Sequence, residues 1–165
     1  MAYDSSNVRQ INYDASWDGK DLGGVDLVKP ELDLQFSPVQ IGSAGSVILD
    51  EIFQGLGGNA KVTVTVREVT LQRMKDLVPW AGSTTPYALT PPPGTKIAQY
   101  AKVLKLHPRD VTDTTQDLNF LKAVPVQSFQ LERDGVKQDA WAVVFRLFPD
   151  PAKLAAGQAA WVTLG

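Results

Sequence analysis

Residues 60–80 read AKVTVTVREVTLQRMKDLVPW, and the period of the apolar positions changes midway along them. Val62, Val64 and Val66 alternate with Thr63, Thr65 and Arg67, the two-residue period of a strand with one buried face. Thr70 then stands where it can cap a helix whose Leu71, Met74, Leu77 and Val78 fall on one side. Pro79 ends that helix. A β-branched strand running into one short amphipathic helix, about residues 70–79, predicts a helix laid on a sheet or at its edge. The unit carries no catalytic pattern, and its content is architectural.

Working outward, the same two-residue period recurs on both sides. Ile11, Tyr13 and Trp17 begin a first strand, and Asp18-Gly19-Lys20-Asp21 reads as a tight turn out of it. Leu32, Leu34 and Phe36 alternate with Glu31, Asp33 and Gln35, which predicts one strand with an apolar and a polar-acidic face, Pro30 standing at its start. Ile48, Leu49, Ile52 and Phe53 form a short apolar cluster ended by Gly55, Gly57 and Gly58. Downstream, residues 97–106 read as a strand with Ala98, Tyr100, Leu104 and Leu106 on one face. Residues 118–124 read as another, and residues 127–132 as a third with Phe129 and Leu131 inward. Asp134-Gly135 marks a hairpin turn into residues 138–148, where Trp141, Val143, Phe145 and Leu147 share a side. Residues 161–164 add a last short strand. Seven to nine short strands with one helix fit a sandwich or barrel, a mainly β domain.

The bulk numbers agree. A chain of 165 residues is one domain with room for a sound core, read here as residues 11–165 behind a polar, flexible N-terminal arm, residues 1–10. The net charge of −2 argues against a dedicated nucleic-acid binder. The absence of cysteine removes disulfide and thiolate chemistry and suits a protein made in a reducing cytoplasm. No run approaches the roughly 18 apolar residues of a membrane span, so no membrane partner is expected. Two long segments, residues 36–49 and 78–95, carry no charge. Such segments can order on another protein surface without desolvating charge. The second holds Pro86, Pro91, Pro92 and Pro93, which favour a stiff, extended path.

Chemistry is hard to find. His107 is the one histidine, beside Pro108 at a strand end, and its default reading is a surface or capping residue. One histidine without cysteine excludes a zinc site of the usual kind. Asp110, Asp113 and Asp117 lie in a Thr-rich turn, but their spacing is not that of a calcium loop. Gly55-Leu56-Gly57-Gly58 lacks the lysine and the strand–loop–helix setting of a phosphate loop. No G-x-S-x-G elbow activates a serine. The expectation is a protein that is not an enzyme and uses no cofactor and no metal.

The order of features carries a resemblance. Asp21-Leu22-Gly23-Gly24-Val25-Asp26-Leu27 sits in a first hairpin, and an uncharged loop leads into Leu49-Asp50-Glu51-Ile52-Phe53-Gln54-Gly55. Val62-Thr63-Val64-Thr65-Val66-Arg67-Glu68-Val69-Thr70 and its helix follow. Leu104-Lys105-Leu106-His107-Pro108 then precedes Asn119-Phe120-Leu121-Lys122-Ala123-Val124-Pro125. This succession, roughly residues 22–161, resembles the bacteriophage tail tube (major tail) proteins. The proline-rich segment 86–94 departs from that pattern.

The resemblance implies a β-sandwich or open barrel of the tail tube type with a flanking helix. It implies a virion structural protein, made in the host cytoplasm, that self-assembles into hexameric rings stacking into a tube for DNA ejection. Its partners would be further copies of itself and other tail proteins (tape measure, terminator, baseplate or tip), with DNA passing transiently through the lumen. On that expectation Glu31, Asp33 and Gln35 face the lumen, while Val39, Ile41, Trp80, Tyr87 and Leu89 contact neighbouring subunits or rings. The alternatives are a terminator or neck ring of the same fold, and a monomeric β-sandwich binding module using Trp17, Trp80, Trp141 and Trp161.

Overall fold

The computed structural model describes residues 12–40, 48–67, 70–80, 90–126, 130–132 and 140–165. Strand β1 (Tyr13–Trp17) turns through Asp18 and Gly19 into β2 (Lys20–Glu31). Both turn residues have positive φ, 54° and 74°, the geometry that matches the right-handed twist of a two-residue hairpin. β3 (Leu34–Gln40) and β4 (Ile48–Leu56) pair only with each other. β5 (Lys61–Val66) is followed by helix α1 (Leu71–Asp76), whose Thr70 hydroxyl accepts from the Arg73 amide as the sequence predicts. A 3-10 turn (Ile97–Tyr100) leads into β6 (Lys102–Pro108) and β7 (Leu118–Pro125). β8 (Gln130–Glu132), β9 (Ala140–Leu147), helix α2 (Pro151–Ala155) and β10 (Val162–Leu164) complete the order.

Six antiparallel strands, β7-β6-β1-β2-β5-β9, close into a barrel because the far end of β7 also pairs with β9. The closing ladder joins Ala123 to Leu147, Val124 to Arg146 and Pro125 to Phe145. β10 occupies the stretch of the same β7 edge that β9 does not reach, through Leu118, Asn119 and Phe120. β8 pairs with β9 beside the barrel.

The inward residues are the ones the alternation selects. Val62, Val64 and Val66 of β5, Leu104 and Leu106 of β6 and Phe145 of β9 are wholly inaccessible to solvent. Trp141, Val143 and Phe120 are almost so, and α1 covers this core with Leu77. Trp17 ties opposite walls together: its Nε1 donates to the Ala123 carbonyl at 2.8 Å, and its ring lies 6.2 Å from that of Phe145. A buried indole N–H left without an acceptor would be costly, so this bond also fixes where β7 sits.

The structure departs from the sequence reading at several places. The barrel is closed, not an open sandwich, because β7 reaches both β6 and β9. Ile97–Tyr100 is a 3-10 turn, and the strand begins only at Lys102. The expected single strand carrying Glu31, Leu32, Asp33, Leu34, Gln35 and Phe36 is broken: β2 ends at Glu31 and β3 starts at Leu34. A second short helix, α2, forms beyond the single helix expected, with Asp150 capping it and Pro151 opening it. The hairpin turn at residues 133–136, Phe129 and Ile11 lie outside the described residues.

Replacing Leu106, wholly inaccessible in the barrel, by alanine removes transfer energy and leaves a cavity that rigid strands cannot close. The expected loss is about 2–5 kcal/mol of unfolding free energy, read from urea titrations of Leu106→Ala against the parent.

Candidate functional site

The surface that stands apart is the ribbon of β3 and β4. A two-stranded ribbon alone is marginally stable in water, and this one joins no barrel strand. Phe36 lies opposite Phe53 and Leu34 opposite Leu56, so these four share a face. Ile52, opposite Ser37, is on the other. Leu34 is 52% exposed, Phe36 50%, Ile52 54% and Phe53 45%, so half of each large apolar side chain meets water on a ribbon that buries little else. Scattered apolar residues on a surface are ordinary, but a contiguous set on one element marks an interaction surface.

The ribbon is fastened at its root. The Gly57 amide donates to the Asp33 carbonyl at 2.6 Å. The Phe53 ring meets Trp161 edge-on at 6.0 Å and Phe36 at 5.7 Å, a ladder of three aromatics running outward from the barrel. Gly55 permits this: its φ is +124°, and a Cβ there would stand 2.9 Å from Trp161 Cη2. Between root and barrel lies an apolar groove of about 390 Å³, lined by Leu32, Leu34, Phe53, Leu56, Trp161, Val162 and residues 157–160.

No protein-family model matches this chain, and no curated protein matches it in sequence. Function therefore rests on geometry and chemistry.

The residues singled out in the sequence fall around the ribbon but not on one face. Glu31 ends β2, where Lys61 and Lys29 each reach it at 3.3 Å. These two hydrogen bonds, Lys61 first, hold its carboxyl below the usual range. With two ammonium groups beside one carboxylate, that spot is cationic on balance. Asp33 lies in the break after β2 and accepts from the Gln35 Nε2 at 2.7 Å. Val39 is half-buried near the far end of β3. Trp80 stands away from the ribbon, edge-on to Tyr100 at 5.9 Å. Ile41, Tyr87, Leu89 and the arm at residues 1–10 lie outside the described residues. The sequence reading missed the groove, because Trp161 and Leu32 are far apart in the chain and neither position carries a motif.

Two other places gather polar and charged side chains. An open depression of about 490 Å³ beside α1 is lined by Lys20, Lys75, Asp76, Tyr100 and Lys102 among others. Its charges are largely matched internally, Lys20 with Asp76 at 2.9 Å and Lys102 with Asp18 at 3.7 Å. The second place is Asp117, read from sequence as part of a solvated turn and in fact 1% exposed. Lys105 Nζ lies 2.6 Å from its Oδ2, and His107 Nδ1 lies 2.5 Å from its Oδ1. An ionised carboxylate only accepts, so Nδ1 carries the proton. The Asp117 carbonyl accepts from the Gly165 amide at 2.9 Å and Asn119 Nδ2 donates to the Gly165 carbonyl. This cluster clasps β6, β7 and the last strand together. Among the described residues no set of three potential metal ligands converges.

Two outcomes follow. Gly55→Ala forces a side chain into a glycine conformation against a rigid indole, and should cost about 1–3 kcal/mol, seen as a lower urea midpoint and a changed Trp161 fluorescence. At Asp117, burial pushes the carboxyl up, but Lys105 and His107 pull it further down, leaving it below 3.8. A depressed carboxyl stabilises the fold above its unfolded pKa, and that contribution fades as pH falls through the folded value. Asp117→Asn should therefore lower the melting temperature at pH 7, and the gap to the parent should close below about pH 3.8.

Proposed function

We propose that this chain is a structural subunit of a phage-type tail tube, joining into six-membered rings that stack into a hollow conduit for DNA. The observation that supports this best is the β3–β4 ribbon, which leaves Leu34, Phe36, Ile52 and Phe53 half exposed while pairing with no barrel strand. A ribbon of that composition is stable when another protein surface covers it. A second copy of the chain is the simplest cover, because a symmetric assembly repeats one contact around a ring.

The barrel suits the role of building block. Its closure leaves the eight-stranded sheet only the three-residue strands β8 and β10 as edges among the described residues, which limits unwanted strand pairing by the barrel. Six copies at −2 each carry −12. A conduit of that sign repels phosphates, where a basic wall would hold them by counterion release. The partners in this reading are neighbouring copies, the other tail proteins at the tube ends, and DNA in transit.

Negative-stain electron microscopy of the purified chain over a concentration series tests the reading. Hollow tubes of stacked rings are the expected result, and isolated rings that never stack assign the chain to a terminator or neck instead. Monomers at every concentration overturn self-assembly as its function.

A further inference from the structure

The ribbon and the barrel rim it leaves are oppositely charged. From Leu32 to Ala60 the chain holds Asp33, Asp50 and Glu51 and no lysine, arginine or histidine. Asp50 and Glu51 lie on β4 toward the far end of the ribbon, opposite Val39 and Pro38. Both are exposed, and Asp50 Oδ1 accepts only from the adjacent Glu51 amide among the described residues. At the root the sign reverses. Lys61 stands between Glu31 of β2 and Arg146 of β9 in the ladder, and Lys29 shares Glu31 with it. Three cations there face one carboxylate. The Arg146 guanidinium spends two donors on the neutral Gly58 carbonyl, at 2.6 and 3.2 Å. The apolar groove opens at this same rim, since Leu32 directly follows Glu31 and Leu56 closes β4 just before Gly58.

We propose that the far end of one copy's ribbon seats on the ribbon root of the next copy, with Glu51, on the face of Phe36 and Phe53, against Lys61 and Arg146, Asp50 adding its charge from the other face, and the ribbon's apolar face continuing into the neighbour's groove. This rests on the self-assembly proposed above and specifies the contact that drives it. Three observations select a second copy as the occupant. The seven residues from Asp50 to Leu56 span about 20 Å of extended strand, so the ribbon cannot fold its own far end back onto its root. Leu32, Leu34, Phe36 and Phe53, each about half exposed, leave roughly 400 Å² of surface in water at ~200 Å² apiece. That is about half of the ~800 Å² each partner contributes to a stable interface. Finally, tip on root pairs unlike charges, which tip on tip does not, and repeated head to tail such a contact closes into a ring or runs on as a filament.

Charge reversal tests it on the full chain. The tip variant is Asp50→Lys with Glu51→Lys, and the root variant is Lys61→Glu with Arg146→Glu. Each is first shown to melt cooperatively as a monomer; if the root variant does not, Lys61→Gln with Arg146→Gln replaces it. By sedimentation velocity, each variant alone should need about tenfold more protein than the parent to associate. An equimolar mixture of the two reversals should restore association, because alternating copies then pair unlike charges at every contact. With the glutamine variant, which cannot attract the lysine tip, the expected result is impaired association alone. Variants that associate like the parent, or reversals that are each impaired and not rescued by mixing, overturn the proposed contact. If the parent still forms hollow tubes in that case, the tube reading survives it. A parent that never associates overturns both, and charge-dependent oligomers without tubes keep the contact while rejecting the tube.

Discussion

Everything in this molecule follows from the ladder in which β7 meets β9. Without the pairs Ala123–Leu147, Val124–Arg146 and Pro125–Phe145 the six strands would be an open sheet with two long edges. With them, every barrel strand has a neighbour on both edges, and the inward set of Val62, Val64, Leu104, Leu106 and Phe145 is sealed from water on all sides. Closure also decides what is left outside. The segment between β2 and β5, which cannot enter a barrel already complete, pairs with itself as β3 and β4. The exposed ribbon is thus a consequence of closure, and its apolar side chains have no place in the core they resemble.

Electrostatics in the chain are organised by position more than by total. A net charge of −2 conceals an uncompensated acidic ribbon and a cationic rim at its base. Among the described residues the one deeply buried carboxylate, Asp117, is met by two partners and serves to hold strands together. Surface ion pairs such as Lys20 with Asp76 contribute little to stability. Charges without an ion partner among the described residues, on Asp50 and Glu51 at one end and Arg146 at the other, are the ones left to set specificity.

How far the sequence could be read depended on whether a residue's neighbours were local. The alternation of Val62, Val64 and Val66, the Thr70 cap, the Asp18-Gly19 turn and the inward side of β9 were all legible, because period and turn chemistry are properties of a few adjacent residues. Ile97–Tyr100 misled because four residues are too few to tell the two-residue period of a strand from the three-residue period of a 3-10 turn. The break after Glu31 misled for another reason: the alternation from Glu31 to Phe36 is real, but no core lies beneath it, so pattern alone implied a burial that the topology does not supply. Barrel closure, the Asp117 clasp and the groove at Trp161 depend on contacts across tens of residues, and no local signal encodes them.

The ribbon's composition makes most sense as a compromise between solubility and association. An apolar strand pair wide open to solvent invites indiscriminate pairing, and Asp50 and Glu51 oppose that by repelling any like surface. Yet the same two carboxylates become favourable wherever a cationic rim is met, so one pair of side chains both discourages wrong contacts and selects the right one. Because the matching rim lies on every copy at the base of its own ribbon, and that rim is out of the ribbon's own reach, the complementarity can be satisfied only between molecules. In the proposed assembly a ribbon marginal in the free chain would gain a covering surface and a charge partner in the same step, and by mass action its stability would rise with protein concentration. A barrel that folds alone and a ribbon that would be completed by a neighbour are the two properties the proposed subunit requires.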